Sequence, residues 1–76
     1  MEITKLIKVE SSQIEAVGHN PVQNVLTVQF KRGGVYTYQN VTAEQHATMM
    51  AAESVGSWFS TNIKKFPEAH PYAKIA

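Results

Sequence analysis

Residues 25–38, VLTVQFKRGGVYTY, carry the strongest structural pattern of the chain. Two runs in which apolar and polar residues alternate flank a basic tip that contains two glycines. Alternation with a period of two is typical of half-buried strands, and glycine allows a tight turn between them. The pattern predicts a β-hairpin at the centre of the fold, with a tip that is available for binding.

The number of residues in the hairpin turn decides which side chains share a face of the sheet. A two-residue turn would place the apolar residues of the first run opposite Tyr36 and Tyr38, because a slip of one residue reverses a strand's faces. A three-residue turn at Arg32-Gly33-Gly34 would place all of these side chains on one face. We favour the three-residue turn because it buries both tyrosines, and burial contributes about 25 cal/mol per Å² of apolar surface.

Three antiparallel strands followed by two helices account for most of the chain. The strands are expected at residues 13–19, 25–31 and 35–39, with a turn at Asn20-Pro21 because proline restricts the residue before it. Residues 1–8 are expected to form a short lead-in. The predicted fold is therefore α+β: a three-stranded antiparallel β-meander followed by a two-helix hairpin packed on one face.

The helical part begins with a capping signal. Thr42 and Gln45 have the spacing of a capping box, and a helix is predicted at residues 43–53. Ser54 is predicted to cap a second helix that Pro67 ends. The residues expected on its buried face, at a helical period, are Val55, Trp58, Phe59, Ile63 and Phe66. Residues 68–76 are expected to form a loop-like tail that folds back against the body.

Composition limits the classes of protein to which the chain can belong. Its 76 residues predict one domain, residues 1–76, and a hydrophobic fraction of 43% with 17% charged residues is typical of a globular chain. No apolar run approaches the roughly 20 residues of a membrane span, and no signal peptide is evident. We therefore expect a cytoplasmic protein without a membrane partner.

Residues that carry out chemistry are sparse. The chain has no cysteine, no aspartate and no pair of glutamates on one face that would form an acid–base couple. Gly33-Gly34 is too short for a phosphate loop. The three histidines, His19, His46 and His70, lie in different regions, so we interpret them as exposed or capping residues rather than zinc ligands. The expected protein is not an enzyme and uses no cofactor, metal or small-molecule substrate.

Basic residues are the remaining signal for a binding function. They occur at the hairpin tip and at or beyond the end of the second helix. The candidate nucleic-acid-binding residues are Lys31, Arg32, Lys64, Lys65 and Lys74. With Tyr36, Tyr38 and Tyr72 nearby, these clusters suit contact with RNA, whose unpaired bases stack on aromatic rings. The alternative is that these residues have no binding role: lysines at the end of a helix interact favourably with the helix dipole, and charges at the hairpin tip aid solubility.

Several segments carry one further pattern, in a fixed order along the chain. They are Val9-x-Ser11-Ser12-x-Ile14-x-x-Val17-Gly18, Leu26-x-Val28-x-Phe30-x-x-Gly33-Gly34-x-Tyr36-x-Tyr38-x-x-Val41, Ala52-x-Ser54-x-Gly56-x-x-Phe59-x-x-Asn62-Ile63 and Pro71-Tyr72. This order resembles the KTSC domain over residues 9–75. That family occurs at the C-terminus of some lysyl-tRNA synthetases and as small stand-alone proteins of bacteria and phages.

The resemblance implies an accessory, non-catalytic module that contacts RNA, tRNA or a nucleic-acid-handling protein. The chain departs from the family's usual pattern at His19, where a tyrosine is common, and at Ser60 and Thr61, where an asparagine and a basic residue are common. Two functions stay open. One is association with nucleic acid, which requires the basic residues to lie on one side. The other is a protein-interaction module, such as a phage-encoded factor docking on a host enzyme, which requires an exposed apolar patch of several hundred Å².

Overall fold

Five antiparallel strands form one sheet, in chain order from edge to edge. The structure is a computed structural model and describes residues 6–76. The strands are β1 (Ile7–Lys8), β2 (Ile14–Asn20), β3 (Val25–Phe30), β4 (Val35–Tyr38) and β5 (Tyr72–Lys74). Between β4 and β5 the chain forms two helices and a π-helical turn, which are α1 (Ala43–Ala51), α2 (Val55–Phe59) and Ser60–Lys64. The α+β class and the antiparallel sheet agree with the prediction.

The sheet is wider than the predicted three-stranded meander. The end of the lead-in pairs with β2 as β1, and residues 1–5 of that lead-in lie outside the described residues. The tail, predicted as a loop, pairs with β4 as β5, with Tyr72 opposite Tyr38. Without β5 the backbone groups along one side of β4 would have no partner in the sheet. Strands of two and three residues are too short to show alternation in the sequence, so periodicity could not predict them.

The central hairpin turns at Lys31-Arg32-Gly33, one residue earlier than the predicted Arg32-Gly33-Gly34. The amide of Phe30 donates to the carbonyl of Gly34 at 3.1 Å, and the amide of Gly33 donates to the carbonyl of Phe30 at 3.0 Å. Both glycines have positive φ values, 108° and 92°, which side chains rarely adopt. The turn has three residues, as predicted, so the predicted sharing of faces is preserved.

The resulting register brings the tyrosines of β4 onto the face that packs against the helices. Leu26 is opposite Tyr38 and Val28 is opposite Tyr36. Tyr38 is only 4% exposed, which confirms the prediction that at least one of the two tyrosines is largely buried. The fully buried side chains at the centre of this core are Ile14, Val17, Leu26, Val28, Val41, Met49, Phe59 and Ile63.

The predicted caps are present, but the second helix is interrupted. Thr42 and Gln45 form both hydrogen bonds of the capping box, and Ser54 accepts a hydrogen bond from the amide of Ser57. After Phe59 the chain widens into the π-helical turn, which shifts all later residues around the helix axis relative to an unbroken α-helix. The helical segment ends at Lys64, earlier than the predicted end at Pro67, so Phe66 lies outside it. Phe66, predicted to be buried, is 52% exposed.

The segment before β5 is tied to the connection between β4 and α1. The Nδ1 of His70 donates to the carbonyl of Gln39 at 3.0 Å, and Nδ2 of Asn40 donates to the carbonyl of Ala69 at 3.1 Å. His70 is 7% exposed, so its interpretation as an exposed or capping histidine is wrong. These bonds hold the tail against the body and position Tyr72 next to β4.

Candidate nucleic-acid interface

A cleft of about 660 Å³ lies beside the hairpin tip, between the inner face of the sheet and the chain that follows α2. We call it the aromatic cleft. Four of its lining residues are aromatic and come from three adjacent strands: Phe30, Tyr36, Tyr38 and Tyr72. Two are cationic: Arg32 from the tip and Lys64 from the π-helical turn. Segments far apart in the sequence therefore meet at one surface.

The aromatic rings form a continuous wall because of the strand register. Tyr72 of β5 is opposite Tyr38 of β4, and the centroids of their rings are 5.8 Å apart. The ring of Tyr36 is 6.2 Å from that of Tyr72 and 5.5 Å from that of Phe30. These distances lie within the range of favourable aromatic pairs.

Exposure increases along this wall from its floor to its rim. Tyr38 is buried against Phe59, with the two rings edge to face at 5.0 Å. Tyr36 is half-buried, and Tyr72 is 58% exposed at the edge of the sheet. Of the three tyrosines, Tyr72 therefore offers the most ring surface to a ligand.

Burial changes the titration of the tyrosine at the floor of the cleft. It raises the pKa of Tyr38 from 10.0 to about 12, and the neighbouring Tyr36 and Tyr72 add to this effect in that order. The Tyr38 hydroxyl is protonated at physiological pH, as a tyrosine is at its ordinary pKa of 10.0, and the shift acts only in the alkaline range. Among the described residues that line the cleft none is acidic, so Arg32 and Lys64 determine its charge. The cleft is cationic and aromatic.

The five basic residues predicted from the sequence do not all meet here. Arg32 and Lys64 line the aromatic cleft. Lys74 lies next to it, opposite Tyr36 in the sheet, and its side chain passes within 3.6 Å of the position that a β-carbon on Gly34 would occupy. Lys65 instead lines a smaller groove of about 370 Å³ on the adjoining segment. Lys31 is exposed at the tip and lines neither surface.

Sequence reasoning missed other parts of the cleft. Gln13, Phe30 and Pro67 also line it and were not among the candidate residues. The hairpin pattern does carry a signal for Phe30, because the three-residue turn places its ring on the same face as Tyr36. For Gln13 and Pro67 no signal exists in the sequence, since their positions depend on how distant segments pack.

The remaining two histidines join β2 to α1. The rings of His19 and His46 are stacked, with centroids 4.9 Å apart and planes 11° from parallel. The Nε2 of His19 donates to the carbonyl of Val41. Burial lowers the pKa of His46, and the nearby His19 lowers it further. His19 and His46 were predicted to be exposed or capping residues; both side chains are half-buried, so neither is fully exposed.

Within residues 6–76, no three side chains of the metal-binding types His, Asp and Glu are grouped closely enough to hold a metal ion. Over that same range, no helix has the length and apolar character needed to cross a membrane.

Known proteins resemble this chain over most of its length. Residues 10–66 match the family model of the KTSC domain. A protein of Tsukamurella paurometabola is 39% identical over 56 residues, which cover 74% of this chain and 84% of that protein. An uncharacterized protein of Stutzerimonas stutzeri is 31% identical over 71 residues, covering 93% of this chain and 97% of the relative.

A solved structure extends this similarity to the fold. The crystal structure of a KTSC domain protein from Yersinia pestis superposes with a TM-score of 0.87 at 31% identity, and the match covers 97% of this chain and 100% of that one. The family model ends before Tyr72, whereas the structural match covers nearly the whole chain. The arrangement of strands and helices is thus shared with a solved protein.

Proposed function

This chain belongs to the KTSC domain family, and we propose that it is a non-catalytic cytoplasmic module that binds RNA, including tRNA, in its aromatic cleft. The observation that carries this proposal is the meeting of Arg32 and Lys64 at one cleft lined by three tyrosines. Guanidinium and ammonium groups bind phosphate, and tyrosine rings stack with nucleobases. The two kinds of contact that RNA needs are present on one surface.

The local charge of the cleft supports RNA binding better than the net charge of the chain does. The formal net charge of the chain is +1, which gives little long-range attraction for a polyanion. The chain nevertheless has six acidic residues, and none of those within the described range lines the cleft. A phosphate entering the cleft would meet cations and neutral rings. We therefore expect weak binding that is localised to this surface.

The alternative, a protein-interaction module, has less support from the apolar surface. The exposed large apolar side chains of the described residues are Ile7, Val22, Phe66, Tyr72 and Ile75. Ile7 is on β1 at one edge of the sheet, whereas Tyr72 is on β5 at the other edge. Val22 is in the turn between β2 and β3. A protein partner usually requires one contiguous apolar patch, and Ile7, Val22 and Tyr72 lie on different elements.

Fluorescence anisotropy across a salt series tests the proposal. The probes are labelled tRNA and a labelled single-stranded RNA. Affinity should fall with salt, because each phosphate contact releases a counterion and contributes a slope of roughly −0.7 for single strands. Contacts from Arg32, Lys64 and the adjacent Lys74 would give a slope of about −2 by that rule, and contacts from all five basic residues would give about −3.5.

Lys64 and Lys65 provide a matched pair of variants. They are adjacent in the chain, carry the same charge and are both exposed, but only Lys64 lines the aromatic cleft. Lys64→Gln should weaken binding and reduce the salt slope by about 0.7, whereas Lys65→Gln should leave the slope nearly unchanged. Equal effects of the two variants would contradict the assignment to this cleft. No binding at low salt by a folded sample would contradict RNA binding and favour the protein-interaction module.

A further inference from the structure

We propose that the aromatic cleft accepts an unpaired RNA segment, one base of which stacks on the ring of Tyr72, so that the module discriminates single strands from duplexes. This inference rests on the proposed function and specifies its substrate class. It is carried by the geometry of one residue. Tyr72 is at the edge of the sheet, is 58% exposed and lines the cleft.

The ring of Tyr72 is supported from within the protein. Its centroid lies 5.8 Å from that of Tyr38 and 6.2 Å from that of Tyr36, and Tyr38 is itself packed against Phe59. Backbone pairing of β5 with β4 holds Tyr72 opposite Tyr38. A ring that is already positioned loses little conformational entropy when a base stacks on it, which favours binding. Tyr72 is thus a preorganised stacking surface.

Two cations in the cleft can bind the phosphates next to the stacked base of an RNA strand. Arg32 and Lys64 line the same cleft as Tyr72. The cleft volume of about 660 Å³ is within the roughly 300–1,000 Å³ typical of pockets for small ligands. A space of this size suits a nucleotide rather than a double helix. In a duplex the bases are stacked on each other, so their faces are not available to an aromatic side chain.

Three RNA probes test this without any change to the protein. They are a labelled single strand, a blunt duplex containing that strand, and a strand of equal length in which the bases have been removed. Stacking of one base predicts that the intact strand binds about 5- to 150-fold more tightly than the abasic one. The duplex should also bind more weakly than the intact strand. Equal affinity for all three probes would show binding to phosphates alone and would overturn the inference.

Variants of Tyr72 separate stacking from charge. Tyr72→Leu should lower single-strand affinity by about 5- to 150-fold without changing the salt slope. Tyr72→Phe keeps the ring and should retain most of the affinity, whereas Lys64→Gln should reduce the slope. Near-ultraviolet circular dichroism shows whether each variant is folded. If Tyr72→Leu is unfolded, the comparison of the three probes on the unaltered protein decides whether a base stacks in the cleft.

The failure of this inference is distinguishable from failure of the proposed function. If the unaltered protein binds RNA and folded Tyr72→Leu binds it with the same affinity, the inference that a base stacks on Tyr72 is wrong, but the proposal of RNA binding is not contradicted. If the unaltered protein binds none of the three probes at low salt, RNA binding itself is wrong.

Discussion

Ser11 and Gly56 approach each other so closely that a β-carbon on Gly56 would lie 2.7 Å from the Oγ of Ser11. That oxygen cannot move away freely, because it accepts hydrogen bonds from the amides of Gln13 and Ile14, both at 3.2 Å. The contact joins the segment that precedes β2 to the first turn of α2. Close packing, rather than an unusual backbone angle, explains the glycine at this position.

A double-mutant cycle tests this contact. Gly56→Ala should destabilise the protein by about 1–3 kcal/mol, the usual cost of overpacking. In the Ser11→Ala background the nearest remaining atom is the β-carbon of residue 11, at 3.9 Å, so the same substitution has room. There it should be neutral or stabilising by up to ~1 kcal/mol, because alanine favours a helix over glycine. Urea denaturation of the four proteins gives the coupling energy, and simple additivity would contradict the close contact.

The burial of Tyr38 leads to a second prediction. Tyr38→Ala should reduce the free energy of unfolding by about 3–5 kcal/mol, because a large aromatic side chain is removed from the core. Phe66→Ala is the matched control. Its ring is 52% exposed, so its removal should cost only about 1 kcal/mol, roughly half the free energy of burying a whole phenylalanine side chain. Chemical denaturation measures both, and equal losses would be evidence against the observed register of β4.

The pKa of Tyr38 predicts a loss of stability at high pH. Its pKa is raised from 10.0 to about 12 in the folded protein, so the unfolded chain releases the proton at lower pH. The stabilisation is fully present below pH 10 and is lost as pH rises through about 12. Tyr38→Phe should therefore show a shallower alkaline decline in Tm. Ultraviolet absorbance of tyrosinate provides an independent titration, and an ordinary pKa for every tyrosine would contradict this prediction.

The stacked histidines predict a decline in stability on mild acidification. Burial and the neighbouring His19 lower the pKa of His46 below its ordinary 6.5, so the unfolded chain takes up the proton more readily. The contribution of His46 is fully present above pH 6.5 and is lost as pH falls through the lowered pKa of the folded state.

His46→Phe keeps an aromatic ring next to His19 while removing the titrating group. Thermal unfolding measured from neutral to mildly acidic pH should decline less steeply in this variant than in the unaltered protein. An NMR titration of His46 gives its pKa directly. A pKa at or above 6.5 would contradict the effect of burial.

Much of the fold follows from local patterns. The alternation in residues 25–38 predicted the hairpin, and the preference for burying both Tyr36 and Tyr38 predicted a three-residue turn, although one residue later than it lies. The sequence also predicted the capping box of Thr42 and Gln45 and the cap at Ser54, because each depends on residues only three positions apart. The family was indicated differently, by the resemblance of motifs spread over residues 9–75 to the KTSC domain, and the family model confirms it over residues 10–66.

The elements that could be predicted are therefore those whose cause is local: alternating strands, a glycine-containing turn and capped helices. Three features depend instead on contacts between distant segments: Tyr72 pairs with Tyr38, the helix widens after Phe59, and Arg32 shares a cleft with Lys64. A strand of three residues, such as β5, is too short to show the apolar–polar alternation that predicts a strand. Its place is set by backbone groups of β4 that need partners and by the tail contacts of His70. The aromatic cleft exists because packing brought those distant segments together.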